Sequence, residues 1–153
     1  MTQPNQLYCP IRKVSVAALP EEVVRQQFLH YMIEQLGYPL AHLSVEVELK
    51  QIPHLALTTD IPDRRADIVC FAKEIHQQHA LYPLLLIECK AVKLTNRVIN
   101  QVVGYNHFLK AYYIAVVNQE SIRVGWFDPI KKNYTFIEQL PTYQDLLLSV
   151  SLG

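Results

Sequence analysis

Glu88 and Lys90 stand two residues apart at the end of the stretch Pro83-Leu84-Leu85-Leu86-Ile87-Glu88-Cys89-Lys90-Ala91. Four consecutive aliphatic residues ahead of them read as a strand covered on both faces. Residues i and i+2 of a strand share a face, about 6.6 Å apart along the chain. Glu88 and Lys90 therefore project together, and Cys89 points the other way with Leu85 and Ile87. Charges at the end of a buried strand cost several kcal/mol per ion unless something offsets them. A cation held by the carboxylate would do so. A second acid, Asp67, opens another β-rich run, Arg64-Arg65-Ala66-Asp67-Ile68-Val69-Cys70-Phe71.

If strands 67–73 and 84–90 are antiparallel neighbours, the start of the first lies beside the end of the second. Asp67 then meets Glu88 and Lys90, although the chain separates them widely. Two hard carboxylate oxygens suit Mg²⁺, which keeps several waters and takes few protein ligands. Such an ion polarises a phosphate and activates water. A lysine beside it orients that water and neutralises developing negative charge. Without a cation the two acids repel, and one holds a raised pKa. The chemistry that uses this set is metal-assisted phosphodiester hydrolysis.

The elements that must position these residues follow from patterning. Residues 8–18 alternate loosely and are expected to pair at a sheet edge. From Pro20 the pattern is helical, with Glu21 and Glu22 at the positive end of the dipole. Val24, Phe28, Tyr31, Met32 and Leu36 recur at spacings of three and four, and Gly37 closes the helix. Residues 43–49 alternate, with Leu43, Val45, Val47 and Leu49 expected on one face. A polar loop over 51–63 precedes the Asp67 strand, and another over 74–82 precedes the Glu88 strand. A helix is expected over about 94–111, strands over 112–117, 122–127 and 134–137, and a last helix over 142–150 with Thr142 as its N-cap. The strands before the second helix form a β-meander, and that helix is a right-handed crossover between parallel strands. The fold class is thus α/β, a mixed central sheet flanked by helices.

Composition narrows the function classes. The chain has 153 residues, 50% hydrophobic and 18% charged, which suits one globular domain burying roughly 70% of its unfolded surface. Its 14 basic and 14 acidic residues cancel, so bulk charge does not mark a tight, sequence-independent nucleic-acid binder. Local basic clusters occur at Arg12-Lys13, Arg64-Arg65, Lys90-Lys93-Arg97 and Lys131-Lys132. Among four glycines there is no phosphate-cradling nucleotide loop. The start, Met1-Thr2-Gln3-Pro4-Asn5-Gln6, has neither a basic nor an apolar segment of a signal peptide. Together with three cysteines in no Cys-x-x-Cys pair, this leads us to expect reduced thiols and a cytoplasmic location. Taken alone, Glu-x-Lys on a strand is an ordinary ion pair, Glu21 and Glu22 are ordinary first-turn acids, and His76-Gln77-Gln78-His79 is ordinary surface.

Together the motifs resemble the PD-(D/E)XK nuclease superfamily: Asp67, then Glu88-Cys89-Lys90, then Gln101-Val102-Val103-Gly104-Tyr105 on the following helix. With Pro20-Glu21-Glu22-Val23-Val24-Arg25-Gln26 upstream, they are similar to the N-terminal nuclease domain of type I restriction enzyme R subunits, over about residues 20–119. The resemblance implies a restriction-endonuclease-like three-layer fold and a Mg²⁺-dependent endonuclease acting on DNA, with Mn²⁺ as the substitute ion. It implies Asp67 and Glu88 as metal ligands, with the Cys89 backbone carbonyl as a third, and Lys90 as the catalytic lysine. Glu21, or Glu22 beside it, would be the helix acid. Gln101 and Tyr105 would support the site or contact the DNA backbone. Partners would be DNA and other restriction-system subunits, and a homodimer is compatible with it. The family's proline before the aspartate is Ala66 here, and the translocase motor of full-length R subunits is not in these 153 residues. The alternative is a catalytically inactive nuclease-fold module that binds DNA or protein, and an RNA substrate is not separated from DNA.

Overall fold

A computed structural model describes residues 5–150; residues 1–4, read above for a leader, and 151–153 lie outside them. Six strands form one sheet in chain order: β3 (Leu43–Glu48), β4 (Arg65–Lys73), β5 (Leu81–Cys89), β6 (Tyr113–Val117), β7 (Ile122–Asp128) and β8 (Asn133–Ile137). The β3–β4 and β4–β5 pairs are antiparallel, and helix α2 (Asn96–Leu109) carries the chain over to β6, which runs parallel to β5. The β7 and β8 strands continue antiparallel. The expected meander and parallel crossover are both present.

Helix α1 (Pro20–Gln35) begins at the proline with its two first-turn acids. It ends where Gly37 takes φ +75° and the Tyr38 amide donates to the Met32 carbonyl at 3.1 Å. Thr95 caps α2 by accepting from the Val98 amide at 3.3 Å. Thr142 caps helix α3 (Tyr143–Val150) the same way, accepting from Asp145 at 3.2 Å, as its sequence position predicts.

Two cores sandwich the sheet. Val24, Leu29 and Met32 of α1 and Leu146 of α3 pack on one face with Ile68, Leu85 and Ile87. Val102, Tyr105 and Leu109 of α2 pack on the other with Val69, Leu86 and Ile114. This is the three-layer arrangement the resemblance implies. Cys89 shares the first core with Leu85 and Ile87, as the period of two requires.

Three expectations need correction. Residues 8–18 do not join the main sheet: strands β1 (Gln6–Cys9) and β2 (Val14–Ala17) form a hairpin of their own. The apolar stripe of α1 runs through Leu29, fully buried, and not through Tyr31, which is 41% exposed. The third concerns residues 43–49, which do not keep one face. Leu43 and Val45 pack into the first core, Val47 and Leu49 into the second. The switch falls at Glu46, whose φ of +54° turns the strand over without changing its register to β4. A left-handed non-glycine residue inside a strand is strained, and such strain clusters at functional sites.

Candidate active site

The antiparallel register pairs Ile68 with Ile87, and one further step sets Asp67 opposite Glu88. The two acids are tied to each other's strands. The Asp67 amide donates to Glu88 Oε2 at 3.2 Å, and the Cys89 amide donates to Asp67 Oδ2 at 2.8 Å. Lys90 follows directly, half-buried, with its own amide donating to the Val117 carbonyl at 2.8 Å. That bond extends the alignment with β6 one residue past the end of β5 and fixes where Lys90 leaves the sheet.

Glu88, Lys90, Gln101 and Tyr105 line one open cleft of about 530 Å³ between the sheet end and α2, with Pro62 and Arg64 at its rim. Gln101 and Tyr105 are four apart on α2, so they share a helix face. Gln101 is exposed in the cleft; Tyr105 is buried, and its hydroxyl has no hydrogen-bond partner among the described residues. Asp67 does not line the cleft but abuts Glu88 from the neighbouring strand.

The acids differ electrostatically. Glu88 is only 4% exposed. Burial, then the charge of Asp67 and a hydrogen bond with its carboxyl, push the Glu88 carboxyl up to about 9, with Lys90 pulling weakly the other way. Asp67 has a counter-charge: Arg25, buried on α1, donates from Nη2 to Asp67 Oδ1 at 3.3 Å. Arg25 Nη1 reaches Glu22 at 3.1 Å and Glu46 at 3.3 Å. The strained turn at Glu46 thus lies across the β3–β4 ladder from Asp67, and one guanidinium joins both.

The two first-turn acids of α1 separate clearly. Glu22 accepts from Arg12 at 2.8 Å, Arg25 at 3.1 Å and Gln26 at 3.1 Å. Burial alone would raise its pKa, but Arg12, Gln26 and the charge of Arg25 outweigh it and hold the carboxyl below its ordinary value. Glu21 is exposed, and its charge is felt at the Cys89 thiol. Glu22 is therefore occupied by its arginines, whereas Glu21 faces water near the site. The Cys89 thiol is buried and its pKa is raised by burial first and by Asp67 second, which rules it out as a nucleophile.

Arg25 was the residue missed by patterning. The arginines nearest Asp67 in the chain do not pair with it: Arg65 bonds Glu48 at 3.3 Å and Arg64 stacks over the Tyr105 ring at 4.2 Å. The signal was present: Arg25, Leu29 and Met32 recur at spacings of four and three, so a cation sits on the core-facing stripe.

The comparisons bear on this geometry. A family model described as the type I restriction enzyme R protein N terminus matches residues 20–141. The chain belongs to that family. The match runs from the first residue of α1 past the end of β8, so it takes in the whole six-stranded sheet and every residue of the site. The β1–β2 hairpin and α3 fall outside it. No curated protein and no solved structure matches the chain. Among the described residues no helix is long and apolar enough to cross a membrane, and Cys9, Cys70 and Cys89 are free thiols.

Carboxylate oxygens are donors of the kind a hard cation takes. No group of three or more His, Cys, Asp or Glu suited to a metal occurs among the described residues; what the sheet end offers is two carboxylates, Asp67 and Glu88, tied together through backbone amides. Mg²⁺ accepts such a short protein set because water fills its remaining positions. Burial and the neighbouring Asp67 charge favour the protonated Glu88 carboxyl, and a cation bound there would displace that proton.

Proposed function

We propose that this domain is a Mg²⁺-dependent endonuclease that hydrolyses phosphodiester bonds in DNA as part of a restriction system. The observation that carries the reading is the contact between Asp67 and Glu88 beside a cleft that Glu88 and Lys90 line. Asp67, Glu88 and the Cys89 carbonyl would hold the cation. When bound, it supplies the Lewis acidity that polarises a phosphate and activates water.

The chain's own residues do the rest. The Lys90 ammonium projects into the cleft beside Glu88, where it donates to the attacking water and offsets charge on the phosphate. Arg25 pairs with Asp67 and aims it, and it is itself braced by Glu22 and Glu46. Glu21 stands at the free end of α1 as the acid available to orient water. Gln101 presents an amide to the substrate strand from α2. Mn²⁺ takes the same oxygen ligands and would substitute. Other subunits of the restriction system are the proposed protein partners, since the neutral chain offers no strong field of its own for finding a DNA site.

Nicking of supercoiled plasmid in Mg²⁺ tests this. The wild type nicks, Glu88→Ala and Lys90→Ala do not, and both variants keep the wild-type circular dichroism. Equal activity in all three preparations would mean a contaminating nuclease. Absence of nicking by the wild type under every metal would favour a non-catalytic nuclease-fold module.

A further inference from the structure

Two consecutive arginines enter β4 and meet different fates. Arg65 is neutralised by Glu48 at 3.3 Å. Arg64 has no carboxylate partner among the described residues. Its guanidinium lies instead 4.2 Å from the centre of the Tyr105 ring. An aromatic face holds an arginine by its flat side and leaves the edge N–H donors free. Those donors sit at the rim of the cleft that Glu88, Lys90 and Gln101 line.

The backbone of Arg64 is fixed as well. Its amide donates to the Pro62 carbonyl at 2.9 Å, and its carbonyl accepts from the Leu49 amide at 3.0 Å. Both ends of the side chain are therefore set before any ligand arrives. Tyr105, 3% exposed, lines the same cleft, so the ring that carries Arg64 is itself held rigidly in the wall.

We infer that Arg64, presented edge-on by the Tyr105 ring, is a substrate-binding residue that grips a DNA backbone phosphate at the rim of the cleft. The inference rests on the nuclease reading and adds to it the residue that seats the strand. A planar guanidinium with free donors matches two phosphate oxygens at once, which a lysine ammonium does not. Lys90, deeper in the cleft beside Glu88, is left for the reacting phosphate, and Arg64 takes a neighbouring one.

The test is binding of a fluorescein-labelled DNA duplex, read by anisotropy over a salt series with Ca²⁺, a hard cation of the same ligand preference, in place of Mg²⁺. Each phosphate contact contributes about 0.9 to the slope of log affinity against log salt. Arg64→Ala is expected to flatten the slope by about that amount. Across a fourfold rise in salt the wild type then loses about 3.5-fold more affinity than the variant. Arg64→Lys should restore the slope but not the full affinity, and Arg65→Ala should behave as wild type. Arg64 is exposed, so these changes leave the fold intact. Equal slopes and affinities for wild type and Arg64→Ala overturn the inference, as does an equal loss in Arg65→Ala, which would mean bulk charge alone. If the plasmid assay shows nicking that depends on Glu88 while Arg64→Ala binds as wild type, the nuclease reading stands and the Arg64 assignment falls. If the wild type neither binds nor nicks DNA, both fall.

Discussion

The guanidinium of Arg25 reaches across from α1 to Asp67 on β4, with Nη2 3.3 Å from Oδ1. One helix thereby supplies a counter-charge to an acid on the sheet and fixes its aim. Arg25 is 6% exposed and also pairs with Glu22 and Glu46. Removing one partner of a buried ionic cluster leaves uncompensated charge and costs about 3–5 kcal/mol. Arg25→Ala should therefore lower unfolding free energy by about 3 kcal/mol in urea titrations. Arg12→Ala, whose pairs with Glu22 and Glu46 are more exposed, should cost less.

The buried acid makes the metal-free protein sensitive to alkali. Glu88 is held protonated in the fold to about pH 9, chiefly by burial, and titrates near 4.3 when unfolded. Between those values the folded state binds more protons than the unfolded one, so stability falls as pH rises. Glu88→Gln mimics the neutral acid and should stabilise the protein in EDTA by about 1–3 kcal/mol at pH 8. The difference should vanish near pH 4. Melting curves of both proteins over this range check it.

A histidine sets the opposite slope on the acid side. His54 bonds the Leu109 carbonyl at 2.7 Å through Nε2, and its buried Nδ1 has no partner among the described residues. Burial, with His79, His76 and Lys110 nearby, holds its pKa below the ordinary value despite that bond. The unfolded chain then takes up protons that the fold refuses, so His54 subtracts stability as pH drops below about 6.5. His54→Gln keeps a donor for Leu109 and should gain stability relative to wild type between pH 6.5 and 5, as followed by thermal melts.

The sheet order was legible because its signals are local. The run Leu84 to Ile87, the helical spacing of α2 and the cap Thr142 each depend on near neighbours. The encounter of Asp67 with Glu88 followed from the same topology, since antiparallel neighbours bring one strand's start to the other's end. What patterning missed depends on three dimensions. Nothing in the alternation of residues 43–49 announces the φ of +54° at Glu46 that moves Val47 and Leu49 to the opposite core. Nor does first-turn composition distinguish Glu21 from Glu22; the arginines that claim Glu22 come from another element and the next helical turn. The hairpin β1–β2 reads like an edge strand because its closing partner lies within the same short segment.

The central claim is that Asp67 and Glu88 jointly hold a divalent cation, and Mn²⁺ reports on it directly through its paramagnetic resonance. Titration of the metal-free wild type should show a saturable site. Asp67→Asn and Glu88→Gln should each weaken it more than about tenfold, and Lys90→Ala should leave it in place. Mn²⁺ binding of wild-type strength in both carboxamide variants would contradict the account.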